Sequence, residues 1–386
     1  MKLDYTPEQQ AFRAEVRSWM EANVPAGKLP SFDLTRQGFE AHRDWERKLS
    51  QGQWGMVTWP EAYGGRALDL IRWLIFEEEY YRAGAPTRVN QNGIFLLGPT
   101  MMEFGTDDQK QRFLPRMAAG DDIWAQAWSE PGAGSDLAAV RSTCTRDGDE
   151  YVLNGQKIWS TRAVFADWAF GLFREPGSER HKGMSLILFP LDAPGVTRRP
   201  IARMDGEMVF AEIFLDNVRV PVADRLGDEG QGWHVCMATA GFERGLMLRS
   251  PARYQVAAQK LAALYHANKA NLPASIGERV AQHWMDADAY ALSIYSTASR
   301  LEAGGKIGPE SSTNKIFWSE MDVALHQTAL DILGPRAELL GQSTDGVSPV
   351  DWLDGFIFAL AGPIYAGSNE IQRNIIAERM LGLPRG

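Results

Sequence analysis

Cysteine is nearly absent from this 386-residue chain: Cys144 and Cys236 stand far apart, and neither has a CxxC neighbour. A disulfide framework is thereby excluded and a reducing compartment is expected, with each cysteine read as a small buried hydrophobe. The six histidines are scattered. None falls in an HExxH or Cys/His spacing, so no metal site is expected. Positive charge is in deficit, with 40 Lys and Arg against 49 Asp and Glu and a net charge of −9. A broad nucleic-acid surface needs a basic face and is excluded. An acidic ligand stays open wherever local arginines meet it. No apolar run reaches membrane-spanning length. The opening MKLDYTPEQQ is acidic and polar, unlike a signal or transit peptide, so a cytoplasmic location is expected. Internal repeats and low-complexity tracts are also lacking.

What is present is an ordinary globular composition, 45% hydrophobic and 23% charged, at a length that fits two or three domains. Residues 1–120 read as helical. Thr6-Pro7-Glu8-Gln9 is a capping box with proline at the first helical position, and Phe12, Val16, Trp19 and Met20 follow at helical spacing. LDLIRWLIFEEEYYRAG (68–84) continues the pattern, and Thr106 with Gln109 opens another helix. Over 121–228 the period shortens. DWAFGLFRE, MSLILFPL and AEIFLDNVRV are rich in β-formers, and Asp147-Gly148 and Asn154-Gly155 both read as hairpin turns. From 229 to 386 helical spacing returns, with candidate helices at 231–267 (in one piece or broken), 276–303, 311–333 and 368–381 that suit a bundle.

Four short stretches are chemically interesting. WSEPGAGSD (128–136) offers bare backbone and two hydroxyls, which suits a bulky polar ligand, though taken alone it reads first as a plain loop; it is not a dinucleotide fingerprint. In IWST (158–161), Trp159 is either a packing residue or a platform for a flat ring. In GFERG (241–245), Glu243 sits among apolar residues, either paired with a cation or desolvated into a usable general base. YAGSNEIQRN (365–374) is a turn of small residues running into a capped helix, where Ser368 is the N-cap and Glu370 suits the helix dipole. A ligand that approaches this backbone meets no acid, base or nucleophile except the Ser368 hydroxyl.

Taken in order, EPGAGSD, NGQKIWST, FLDNVRVP followed by GDEGQGW, and YAGSNEIQRNIIAERML resemble the acyl-CoA dehydrogenase family of flavoproteins across nearly the whole chain. The resemblance implies an α+β fold: an N-terminal helical domain (1–120), a middle β-barrel-like domain (121–228) and a C-terminal four-helix bundle (229–386). It implies non-covalent FAD, an acyl-CoA substrate, an electron-transfer flavoprotein as acceptor, and a homodimer or homotetramer. The segment Gln126, Ala127, Trp128, Ser129 through Gly134 and Ser135 resembles the stretch along the flavin ring, with Ser135 also near the thioester. Trp159, Ser160 and Thr161 resemble the residues beside the ring, Thr161 near N5. Gly367 corresponds to a position at the substrate, and Ser368, Asn369 and Glu370 to positions at the flavin. Arg141, Arg244 and Arg249 are candidates for the CoA phosphates, and Phe95 and Leu96 for the far wall of the acyl pocket.

In the family a carboxylate takes the α proton while the β hydride leaves for flavin N5, giving the 2-enoyl thioester. Many members carry that glutamate in the turn occupied here by Ala366. Branches similar to isovaleryl- and long-chain acyl-CoA dehydrogenases carry it on a helix, ahead of an arginine, where this chain has Glu243-Arg244. The resemblance therefore implies Glu243 as base, with the Ala366 backbone N–H holding the thioester oxygen. Two family segments that reach a neighbouring subunit's cofactor are altered. YHANKANLPASIG (265–277) lacks Arg-x-x-Phe-Gly and offers only Lys269, and Asp331–Ala337 replaces Gln-x-x-Gly-Gly-x-Gly. Two alternatives follow: a half-site subunit of a heterotetramer, or a related flavin oxidase acting on a non-CoA substrate.

Overall fold

The computed structural model describes residues 4–243, 250–339 and 349–384. Two compact units form, and they do not follow chain order: Met1–Val24, Asp69–Ala85 and Arg244–Gly386 make one, and Pro25–Leu68 with Pro86–Glu243 make the other.

The first unit is helical. α1 (Pro7–Asn23) starts at the expected capping box, in which Thr6 Oγ1 accepts from the Gln9 N–H and Gln9 Oε1 from the Thr6 N–H. α3 (Leu70–Arg82), capped by Asp69, packs on α1 and on α7 (Pro251–Asn268) and α8 (Ala274–Glu302). α9 (Ser311–Leu333) joins α7 and α8, and α10 (Pro349–Leu360) and the short α11 (Asn369–Ile375) pack on α9. Expected helices at 276–303 and 311–333 are present with shifts of at most two residues at either end.

The second unit is built on one eight-stranded sheet, with α2 (Arg36–Gln51), α4 (Gly98–Phe104), α5 (Asp107–Ala119) and α6 (Gly232–Glu243) beside it. Its strands are β1 (Trp124–Ala127), β2 (Thr143–Asp147), β3 (Glu150–Thr161), β4 (Trp168–Arg174), β5 (Met184–Pro190), β6 (Val196–Ile201), β7 (Phe210–Pro221) and β8 (Arg225–Leu226). They run in the order β6-β7-β3-β2-β4-β5-β8, with β1 parallel to β4. Cys144, Leu153, Phe173, Ile187, Phe189 and Ile213 are fully buried between the layers. Both cysteines are buried and neither is in a disulfide; burial pushes the Cys144 thiol up to about 12, which leaves it inert at neutral pH.

One expected turn is corrected. Asp147-Gly148 opens the tight β2–β3 hairpin, but Asn154-Gly155 lies inside the continuous strand β3. The left-handed preference is used for an irregularity of the ladder instead. Two steps along β3 from Leu153 to Gly155 face three along β7 from Val218 to Leu215, and the extra residue, Asn217, sits at φ 51°. Asn154 Oδ1 accepts from the Asn217 N–H at 2.8 Å, and Ser142 occupies the place a Gly155 side chain would need.

Candidate functional site

The second unit positions 126–135 and 157–161 against each other. A second irregularity interrupts β3, where Lys157 faces Ile213 but Ser160 faces Ala211, so β3 carries one residue more than β7. Trp159 takes up the excess at φ 59°. Its neighbours Lys157 and Ser160 are fully buried, whereas Trp159 is 56% exposed and meets Phe210 edge-on at 5.7 Å. The bulge thus turns outward an indole that strict alternation would distribute otherwise. Its exposure does not fit a buried packing residue.

The loop after β1 lies across this strand. The Ile158 N–H donates to the Ser129 carbonyl at 2.9 Å, and Glu130 and Ala133 exchange backbone hydrogen bonds at 2.9 and 3.0 Å. Gly134 and Ser135 are exposed, with open space where a Gly134 side chain would be. Their N–H groups, and that of Gly132, donate to none of the described residues. Ala127 and Trp128 are buried, Gln126, Ser129 and Thr161 half-buried. Trp128 Nε1 and Ser160 Oγ are buried with no partner among the described residues. An outward apolar ring beside bare loop N–H groups and unmet donors suits a flat heterocycle with polar edges, which is the shape and chemistry of a flavin.

The loop is anchored from beneath by a pair that sequence reading missed. Lys157 Nζ donates to Glu130 Oε1 at 2.8 Å, to the Leu172 carbonyl at 2.5 Å and to the Trp128 carbonyl at 3.4 Å. Glu130 also accepts from the N–H groups of Arg141 and Ser142 at 2.6 and 2.9 Å. Burial pushes the Glu130 carboxyl up, but Lys157 and these backbone donors more than offset it and hold it below the usual range. The available signal was a lone lysine at an inward position of an apolar strand.

α6 packs on β5 and on the π-helical turn Asn92–Leu97, which buries Phe95 and Leu96. Gly232 admits the Ser185 backbone, and Thr239 and Thr100 share a buried hydroxyl hydrogen bond at 2.9 Å. The described part of the helix runs to Glu243. The Glu243 side chain, and Arg244 and Arg249 entirely, lie outside the described residues.

In the first unit, the turn before α11 places Ala366 at φ 58° and Gly367 at φ 77°. A non-glycine residue there costs roughly 1 kcal/mol and persists only where the surroundings hold it. Gln372, fully buried, donates from Nε2 to both carbonyls, at 3.2 and 3.1 Å. The Ala366 and Gly367 N–H groups donate to none of the described residues. Ser368 caps α11 through the Ile371 N–H, as expected, and Glu370 is exposed. Asn369 points inward: its Oδ1 accepts from buried Lys315 at 2.7 Å and from Ser319 at 3.2 Å. Its side chain is therefore committed to the protein.

Known proteins resemble this chain along nearly its whole length. The acyl-CoA dehydrogenase N-terminal, middle and C-terminal domain models match residues 6–121, 125–218 and 230–381. The chain is 40% identical to acyl-CoA dehydrogenase IpdE1 of Mycobacterium tuberculosis, covering 97% of this chain and 98% of that protein. Among solved structures, the ChsE4–ChsE5 complex from Mycobacterium tuberculosis contains a chain that is 31% identical, with a TM-score of 0.86 and full coverage of both. The Tcur3481–Tcur3483 steroid ACAD gives 27% identity and a TM-score of 0.88, also with full coverage of both.

Proposed function

The chain belongs to the acyl-CoA dehydrogenase family, and from that premise we propose which of its residues do the work. It is an FAD-dependent enzyme that dehydrogenates an acyl-CoA thioester. The segments 1–120, 121–228 and 229–386 are its three domains in this reading, supported by the three matched models. Gln126 through Ser135, together with Trp159, Ser160 and Thr161, hold the cofactor. Trp159 offers its open face, and the loop N–H groups meet polar edges. By the family resemblance Ser368 and Glu370 also serve the cofactor, whereas Asn369 acts through its backbone because its side chain is engaged.

Bound FAD supplies the acceptor for the hydride that leaves the substrate β-carbon. The protein's own task is the α proton, which Glu243 removes. The Ala366 N–H holds the thioester oxygen, stabilising the negative charge that develops there as the proton leaves. Ser135, Gly367 and Arg244 contact the substrate. The observation that carries this reading is the turn itself: a held left-handed pair whose N–H groups donate to none of the described residues, and no carboxylate, which favours a base from another element. Anaerobic bleaching of the bound flavin by thioester tests it. Glu243→Gln is expected to slow bleaching by about 100-fold or more. Ala366→Glu in that background is expected to restore part of the rate. Near-parental bleaching in Glu243→Gln overturns the assignment.

The altered segments favour a working unit that includes a second, different chain. Lys269 lies in the turn Lys269–Asn271, Asp331 is engaged by Arg279 at 2.7 Å, and Arg336 donates to Asn268 Oδ1 at 2.6 Å, so both regions are engaged within the chain. A chain similar to this one is solved as part of the ChsE4–ChsE5 complex. Flavin content of the chain purified alone, against the chain co-expressed with its partner, separates a heteromer from a homotetramer. A bulky ring-bearing acyl group is the proposed substrate class, supported by the likeness to a steroid ACAD. Electron-transfer flavoprotein is the proposed acceptor; hydrogen peroxide release at the rate of turnover would identify an oxidase instead. A cytoplasmic location is proposed, and no helix among the described residues is long and apolar enough to cross a membrane.

A further inference from the structure

Lys157 is the one residue in IWST's strand whose side chain is both charged and wholly withdrawn from solvent, and Glu130, its counter-ion, is 8% exposed. Taking two charges out of water is costly, and a well-packed apolar pair is often as stable or more so. A stability argument alone does not explain the pair. Its geometry does. The ammonium, itself on β3, gathers three oxygens from two other segments: Glu130 and the Trp128 carbonyl on the loop, and the Leu172 carbonyl on β4. Glu130 then reaches the backbone at Arg141 and Ser142, beyond the loop's far end. The loop is pinned before and after the bare stretch Gly132–Ser135 from a single point beneath the bulge that presents Trp159.

We propose that Lys157 and Glu130 are positioning residues for the flavin, fixing the 128–135 loop and the Trp159 bulge as one preformed surface. The proposal rests on the cofactor assignment above. Neither side chain needs to touch the cofactor. What they set is the distance between the Gly132, Gly134 and Ser135 N–H groups, which donate to none of the described residues, and the exposed indole, so a loose pair lets the two halves of the surface drift apart.

The test measures FAD binding to apoprotein by quenching of flavin fluorescence, alongside thermal unfolding without cofactor and visible circular dichroism of the bound flavin. The protein is used with any subunit that co-purifies. The double variant Lys157→Met/Glu130→Gln removes both charges and is expected to fold. Its FAD dissociation constant should rise at least tenfold, and the flavin dichroism should change. A folded double variant that binds FAD within twofold of the parent, with unchanged dichroism, overturns the proposal. If the double variant does not fold, Glu130→Gln alone, which keeps an acceptor oxygen, is judged by whether FAD binding weakens at all beyond twofold. A parent protein that takes up no FAD overturns the cofactor assignment itself, and this proposal with it.

Discussion

Gln372 Nε2 lies 3.2 Å from the carbonyl oxygen of Ala366, and the same nitrogen also reaches the Gly367 carbonyl at 3.1 Å. One buried amide therefore holds both carbonyls of a left-handed pair, and their N–H groups donate to none of the described residues. Gln372→Met keeps the volume and removes the donor. The expected result is a rate of flavin bleaching about tenfold lower, because the thioester oxygen loses a well-aimed donor, with a loss of stability of about 1–2 kcal/mol from two carbonyls left unpaired. Stopped-flow reduction and urea unfolding measure the two separately. A loss of stability with no loss of rate would make Gln372 structural only.

Trp159 gives the converse case. With 56% of its surface exposed and one edge contact to Phe210, its indole adds little to the core. Trp159→Ala is expected to change unfolding free energy by less than about 1 kcal/mol. If the ring faces the cofactor, FAD affinity falls about tenfold, the scale of one lost aromatic contact. Equilibrium dialysis of FAD decides it. Undiminished affinity would return Trp159 to the ordinary surface.

The order of helices and strands was legible because local signals agree with the packing. The Thr6 and Thr106 boxes form as written, since capping is a three-residue affair. Asn154-Gly155 misled because the same φ preference serves turns and bulges, and only the partner strand distinguishes them. The stretches that touch cofactor in the family could be named from their motifs. The groups that hold them could not. Lys157 and Glu130 are 27 residues apart, and Lys315 and Asn369 are 54 apart. Neither pairing leaves a local pattern, because the partner is brought by the fold rather than by the chain. The grouping of α1 and α3 with the C-terminal helices was hidden for the same reason.

Glu79 predicts how the helical unit responds to acid. Burial pushes its carboxyl up, and hydrogen bonds from Arg17, Arg82 and Arg13 more than reverse this, to about 2. A depressed carboxylate stabilises the fold above its unfolded value near 4.5, and that contribution is lost as pH falls through about 2. Glu79→Gln is therefore expected to cost about 3 kcal/mol at pH 7, since three arginines lose a shared anion, and less as pH drops below 4.5. Urea unfolding at pH 7 and pH 3 measures the difference. Equal costs at both values would mean that packing, not charge, is what Glu79 supplies.

Asp33 predicts the opposite slope for the sheet unit. It is 7% exposed. Burial raises its carboxyl to about 6; Arg162 and Arg203 pull it down, while Glu207 and Asp205 push it further up. A raised carboxyl favours the protonated fold, so its contribution is complete below the unfolded value of 3.8 and is lost as pH rises through about 6. Above that the ionised group is a standing cost. Asp33→Asn is expected to stabilise the protein at pH 8 by about 1–3 kcal/mol, from roughly 1.4 kcal/mol per unit, and to have almost no effect at pH 4. Thermal unfolding of the parent and variant across that range measures it. Because Asp33 lies outside the candidate site, flavin bleaching should be unchanged, and a variant that is less stable at pH 8 would show that its ionised form is fully served by Arg162.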